Sequence, residues 1–241
     1  MRRVFVADEH SLVCRGIAAV LEPLRDVEVC GDAHSADAIR SGVENLRPHL
    51  VTLELRLQDG DGLELIRHLC NAHPALSVLV VSGEDEALYA PRALRAGARG
   101  FVSKCQGPDV LVKAVKKLLD GGSHLGAELE AHLADRYVRG LTLSVDTPIA
   151  NLSDRELQVY RMIGAGETTN EIAAALCLSV KTIESHRTGI KRKLDIRTTA
   201  QLVHRATRTF GMQVSADPAD IRETLTCVSG QAPVTRRCAR S

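Results

Sequence analysis

The chain of 241 residues has no tryptophan, three phenylalanines and three tyrosines. So few rings leave no platform for unpaired bases, which excludes recognition of RNA or single strands by aromatic stacking. No run approaches the roughly 18–20 apolar residues that a membrane crossing needs. The opening MRRVFVADEH turns acidic too early for a secretory leader. The expectation is a cytoplasmic protein with no membrane contact. Seven cysteines, at 14, 30, 70, 105, 177, 227 and 238, are odd in number and scattered, with no C-x-x-C pair. They read as reduced thiols rather than a disulfide framework or a metal cluster. Enzyme signatures are missing as well: there is no G-x-x-x-x-G-K, G-x-S-x-G or H-E-x-x-H. No enzymatic activity is expected.

What is present is an ordinary globular composition, 44% hydrophobic and 25% charged, on a length that suits one or two domains. The net charge of +1 conceals an asymmetry. Residues 1–121 carry 15 basic against 17 acidic side chains, and residues 151–210 carry 10 against 6. An acidic-leaning first half followed by a compact basic module suggests a regulatory part and a part that meets a polyanion.

Five short apolar runs read as strands: VFVAD (4–8), VEVCG (27–31), LVTLEL (50–55), SVLVVS (77–82) and GFVS (100–103). They are nearly continuous in hydrophobicity, which suits a sheet covered on both faces. Segments with helical spacing lie between them, so the first part is read as α/β, a doubly wound five-stranded parallel sheet over 1–121. Pro91 falls inside the fourth helical segment, which should therefore start late or kink. Residues 122–150 read as a linker in which AELEAHLADRYV forms one helix. From 151 to 210 the chain looks wholly helical. Ser153 with Glu156 and Thr168 with Glu171 are capping boxes, and Ser179 caps a helix that starts at Val180. The tail over 211–241 shows at most a short helix after Asp217, and its Cys227 and Cys238 give only a weak redox signal.

In an open parallel sheet, ligands sit at the carboxyl ends of the strands, where strand order reverses. The polar residues there are Asp8, Glu9, Glu54, Ser82 and Lys104. Three carboxylates gather at one edge only if a positive group joins them, and Mg²⁺ or Lys104 can do so. This set, with DGDGLELI after Glu54 and Lys104 in GFVSK, resembles the receiver domain of bacterial two-component response regulators. The resemblance implies that Asp8, Glu9 and the residue at the phospho-acceptor position hold Mg²⁺. It also implies that Ser82 and Lys104 contact the phosphoryl group, with Phe101 as the switching aromatic. The phospho-acceptor position holds Glu54, not Asp, and the Pro expected four residues later is Gln58. One extra methylene carries the carboxylate outward by more than about 1 Å, and a misplacement of that size costs about a hundredfold in an in-line reaction. Efficient phosphorylation is therefore not expected. Three readings stay open: Glu54 imitates the phosphoryl group by reaching Ser82 and Lys104; the receiver has become a dimerisation or docking module; or slow phosphorylation occurs on Glu54, Asp59 or Asp61.

In the basic module two helices joined around CLS form a helix-turn-helix, whose second helix fits a major groove. Ile183, Ile190 and Leu194 should face the module's core, with Lys181, Glu184, Ser185 and Thr188 opposite. His186, Arg187, Lys191 and Arg192 flank that face within reach of phosphates. The segments LSDRE (152–156), TTNEIA (168–173), LSVKTIESH (178–186) and IKRKL (190–194) resemble the LuxR-type helix-turn-helix of the NarL/FixJ response regulators. The resemblance implies that Glu184, Ser185 and Thr188 contact bases. It gives Lys181, Thr182, His186, Arg187 and Lys191 mainly to phosphates, and TTAQLVHRATR (198–208) to pairing of two modules. The expected partners are double-stranded DNA, a second copy of the chain, and a histidine kinase or partner regulator. An interaction protein that docks another regulator is the competing class.

Overall fold

A computed structural model describes residues 1–57, 60–138 and 147–210. Asp59, Gln58, the tail cysteines and the helix expected after Asp217 lie outside the described residues. The chain divides into two compact units, Met1–Ala150 and Asn151–Ser241.

The first unit begins with β1 (Arg2–Ala7), α1 (Ser11–Leu21), β2 (Val27–Ala33), α2 (Ala36–Leu46) and β3 (Leu50–Leu53). A small antiparallel pair follows, β4 (Arg56–Leu57) with β5 (Gly60–Asp61). Then come α3 (Gly62–Ala72), β6 (Ser77–Ser82), α4 (Glu86–Ala96), β7 (Gly100–Ser103), α5 (Pro108–Leu119) and α6 (Ala127–Val138). Five strands form one parallel sheet in the order β2-β1-β3-β6-β7. The order reverses between β1 and β3, the place where this architecture puts a ligand.

Burial explains the near-continuous apolar runs. Every residue of β3 and of β6 is buried, because helices cover both faces. On one side Val4, Val6, Leu79 and Val81 pack with Ile17 and Leu21 of α1 and with Leu111, Val115 and Leu118 of α5. On the other, α2 comes so close that a Cβ on Gly42 would lie 2.5 Å from the Phe5 ring. The ladder also fixes the site edge. Asp8 N–H donates to Ala33 O at 3.1 Å, Glu54 N–H to Ala7 O at 2.9 Å, and Lys104 N–H to Ser82 O at 2.8 Å. The four adjacent strands β1, β3, β6 and β7 thus deliver their polar ends in register.

Two details differ from the sequence reading. The third strand leaves the sheet at Leu53, and Arg56–Leu57 turn into the small hairpin instead. The fourth helix does not start late. Asp85 caps it by accepting from Leu88 N–H at 2.9 Å, and the helix continues from Glu86 past Pro91 to its C-cap Gly97 at φ +114. At its sixth position Pro91 removes a single N–H bond within an otherwise complete helix, a loss its burial offsets.

The second unit follows a short 3₁₀ turn (Pro148–Asn151) and holds α7 (Asp154–Gly164), α8 (Thr169–Ala175), α9 (Val180–Lys193) and α10 (Thr199–Phe210). Both capping boxes form as the sequence indicates, at Ser153 with Glu156 and Thr168 with Glu171. Tyr160, Ile163, Ile172, Ile183, Ile190, Leu202 and Phe210 make its core. Tyr160 and Phe210 meet edge to face, centroids 5.7 Å apart.

Gly164 is where α7 and α10 touch through their backbones, since a Cβ there would lie 2.7 Å from Ala206 O. Gly164→Ala should lower the melting temperature of the second unit, with a cost of about 1–3 kcal/mol from overpacking. That cost should outweigh the helix-propensity gain of about 1 kcal/mol. Calorimetry of the full chain checks this, and an unchanged or higher transition would refute the close approach.

Candidate functional site

The strand ends of the first unit bring four of the expected residues into one hydrogen-bonded cluster. Asp8, Glu54 and Ser82 are 1%, 5% and 0% exposed. The Lys104 ammonium lies 2.5 Å from Asp8 Oδ2 and 2.7 Å from Glu54 Oε2. The Ser82 hydroxyl donates a short hydrogen bond to Glu54 Oε1, which also accepts from Arg56 N–H at 3.0 Å. Asp8 Oδ1 accepts from His10 N–H at 2.9 Å. Burial pulls the Lys104 pKa down, but hydrogen bonds to Asp8 and Glu54 outweigh it and hold the ammonium above the ordinary lysine value. Glu9 lies at the same edge, its carboxylate 3.8 Å from His10 Nδ1. Phe101 is 1% exposed within β7, and its N–H donates to His124 O at 2.9 Å.

A magnesium ion fits this arrangement poorly. Asp8, Glu9 and Glu54 are the hard oxygen donors it would want. Yet each carboxylate oxygen of Asp8 and Glu54 already faces a donor of the chain itself, and the joining cation is Lys104. Lys104, rather than an ion, is the cation that joins the two carboxylates in this arrangement. Sequence reasoning missed the residues over the cluster: Arg56 of the hairpin lies 3.6 Å from Glu84, which is 4% exposed just after β6. The short hairpin that positions Arg56 left no hydrophobic period to detect.

In the second unit, α8, a turn and α9 make a helix-turn-helix. Leu178 N–H donates to Ala173 O at 2.9 Å, and Cys177 takes the left-handed conformation at φ +51 that reverses the chain. Ser179 then caps α9 by accepting from Thr182 N–H at 3.1 Å. Ile183, Ile190 and Leu194 are 0%, 0% and 3% exposed, so that side of α9 is sealed. Lys181, Glu184, Ser185, Thr188 and Arg192 are exposed, with Thr182, His186 and Lys191 half-buried. The Thr188 hydroxyl bonds back to Glu184 O at 2.9 Å.

Arg187 is not where the sequence reading put it. It is 9% exposed; its Nη1 donates to Thr169 Oγ1 at 3.0 Å and its Nε lies 3.8 Å from Glu184 Oε1. Thr169 Oγ1 donates in turn to Glu184 Oε1 at 3.2 Å. Arg187 therefore clamps α8 to α9 and is withdrawn from the phosphate-reaching set. The signal was in the spacing. Ile183, Arg187, Ile190 and Leu194 fall at i, i+4, i+7 and i+11, the buried stripe of a helix. A second clamp joins α7 to α9: Lys193 Nζ lies 2.6 Å from Glu156 Oε2, while Glu156 still closes the cap at Ser153.

A parallel sheet with an acid–lysine cluster at its switch point, in one chain with a capped helix-turn-helix, defines a receiver joined to a DNA-reading module. Residues 4–116 match the "Response regulator receiver domain" and residues 150–206 the "Bacterial regulatory proteins, luxR family". Response regulator GacA of Pseudomonas protegens is 31% identical over 208 residues, which cover 86% of this chain and 96% of that one. Response regulator UvrY of Escherichia coli K12 is 28% identical over 86% of this chain and 94% of its own. RcsB of Salmonella enterica serovar Typhimurium, solved bound to the rprA promoter with the phosphomimetic BeF3⁻, is 26% identical with a TM-score of 0.65. That match covers 86% of this chain and 99% of the other. The chain belongs to the NarL/FixJ family of response regulators, a receiver followed by a LuxR-type helix-turn-helix.

The Glu156 clamp predicts a pH dependence. Burial raises its pKa, but hydrogen bonds from Lys193 and Ser153 outweigh that and hold it below the ordinary value of 4.5. A depressed carboxylate adds stability that is complete above 4.5 and is lost as pH falls through the folded value. Glu156→Gln should cost about 1–3 kcal/mol at neutral pH. In a pH series of urea melts its deficit against wild type should shrink below pH 4.5. A deficit constant with pH would mean that the ion pair contributes nothing.

Proposed function

We propose that this chain is a cytoplasmic, sequence-specific DNA-binding transcription regulator that acts as a homodimer without enzymatic activity and with little or no phosphorylation control. The observation that carries the DNA reading is the two-sidedness of α9, whose apolar side is sealed while its polar side stands free. In a major groove, Glu184, Ser185 and Thr188 meet base edges, while Lys181, Thr182, His186, Lys191 and Arg192 serve phosphates. Glu184 accepts only, so it suits a cytosine amino group and sharpens specificity at some cost in affinity. Arg187 holds Glu184 and α8 in place rather than touching DNA. RcsB neighbours solved as dimers on DNA support the same mode here. Among the described residues no helix is long and apolar enough to cross a membrane, in keeping with a nucleoid partner. The division into a receiver-like part over 1–121, a linker over 122–150, a helix-turn-helix part over 151–210 and a tail over 211–241 goes with this reading. The break between Met1–Ala150 and Asn151–Ser241 supports it.

The receiver is read as set rather than switched. Glu54 engages Ser82 and Lys104 together, the two side chains that the family resemblance assigns to the phosphoryl group. Its single charge against nearly two on a phosphoryl group makes the imitation partial. A kinase and magnesium are then dispensable.

Two measurements test this. In binding isotherms over a salt series, Lys191→Ala should weaken all operators alike and reduce the log–log salt slope by about 0.9, whereas Ser185→Ala should shift base preference by about 1–3 kcal/mol. An intact salt slope in Lys191→Ala would remove this face from the DNA. With acetyl phosphate and Mg²⁺, wild type should show no phosphoryl mass gain and Glu54→Asp should show one. Glu54→Gln should bind operator DNA more weakly than wild type, and equal affinity would end the imitation reading.

A further inference from the structure

A second cluster of metal-binding side chains lies on the far side of Asp8, and neither the DNA interface nor the acid–lysine pocket uses it. Cys14 sits on α1 at 3% exposure, Asp32 in β2 and His34 just beyond it. One ligand atom from each of the three lies within 4.8 Å of the other two. We propose that Cys14, Asp32 and His34 form a binding site for a single zinc-class divalent cation, with water as its fourth ligand.

Three observations support the assignment. The donor set comes first: a thiol, an imidazole and a carboxylate are the ligand types of zinc sites that keep one open position. Spacing is the second. Zinc bonds of about 2.0–2.3 Å at a tetrahedral angle set neighbouring ligands about 3.3–3.7 Å apart. His34 Nε2 lies 3.4 Å from Asp32 Oδ2, within that range, while Cys14 Sγ approaches the ring from its Nδ1 side, at 3.8 Å. Bringing the thiol onto the same ion as Nε2 requires the Cys14 or His34 side chain to turn. The third is the setting of the ring. His34 Nδ1 is 2.8 Å from Asp8 O, an oxygen that only accepts, so Nδ1 donates there and Nε2 is the nitrogen that faces Asp32. A metal-binding histidine whose other nitrogen is tied to a backbone carbonyl is the usual supporting pattern.

Cys14 is no free nucleophile. Burial, Asp32 and Asp8 push its thiol up to about 11. On coordination the sulfur–hydrogen bond is exchanged for a sulfur–metal bond and the proton leaves to solvent. Thiolate, carboxylate and dication then sum to a neutral site. No spacing in the sequence announces it, because residues 14 and 32–34 meet only once α1 and β2 fold around the end of β1.

The test uses the full chain with its thiols kept reduced by a non-chelating phosphine and Co²⁺ as the probe. One Co²⁺ per chain should bind with a thiolate-to-cobalt charge-transfer band in the near ultraviolet, and Zn²⁺ should displace it. Cys14→Ser should abolish the band. The exposed variants His34→Gln and Asp32→Asn, which spare the core, should each weaken binding by about tenfold or more. Absence of the band in wild type, or equal Co²⁺ affinity in wild type and His34→Gln, would overturn the site and leave a histidine–carboxylate ion pair in its place.

Discussion

The arrangement of the first unit rests on how two carboxylates are kept together at the ends of adjacent strands. Asp8 and Glu54 are both almost wholly buried, and two like charges held side by side repel. One ammonium between them, at 2.5 and 2.7 Å, changes the sign of the balance, and the Ser82 hydroxyl takes up the remaining side of Glu54. Truncating one partner of such a group leaves a buried charge uncompensated, which is the costly outcome for an internal ion cluster. The cluster is therefore indivisible: Asp8, Glu54, Ser82 and Lys104 hold one another, and the ladder bonds of β1, β3, β6 and β7 hold them all.

The same economy of charge runs through the helical unit. Of its cations, Arg155 donates to Leu176 O, Arg187 to Thr169, Lys193 to Glu156 and Arg205 to Leu194 O. These contacts fasten α7, α8 and α10 to their neighbours and fix the angle at which α9 is offered. The +4 balance of residues 151–210 thus overstates what a polyanion would meet. The exposed cations include Lys181 at the start of the polar stripe, Arg192 beside it, and Arg197 and Arg208 outside α9. Net charge marks the module, and side-chain pairing decides which charges are available.

Most of the architecture was legible because burial writes itself into hydrophobicity. LVTL and SVLVVS are continuous apolar runs, and both are strands buried along their whole length. Caps were equally readable: Ser153, Thr168 and Ser179 each accept the N–H that their position promises. What stayed hidden were features that depend on few residues or on distant ones. The β4–β5 hairpin is two residues a side, too short for any period to show. Pro91 was weighed as a local breaker, yet Asp85 and burial fix the helix around it. Charge alone assigns Arg187 to phosphates, but its spacing sets it with Ile183 and Ile190, and the spacing prevails. Cys14, Asp32 and His34 come together only through the fold.

The substitution of Glu for Asp at the third strand gains its meaning from this distinction between local and distant. As a residue in a motif, Glu54 offers a carboxylate one bond longer than the Asp that the family resemblance expects. As a member of a folded edge it has a particular reach. Its backbone is pinned to Ala7 O, so the extra methylene can be spent only across the strand ends, towards β6 and β7. There the length suffices for one oxygen to meet Ser82 and the other Lys104. Arg56, which bonds that same Glu54 oxygen through its backbone and approaches Glu84 with its side chain, covers the result. On the proposed reading, loss of the nucleophile's role and gain of a place in the cluster follow from the same carbon–carbon bond.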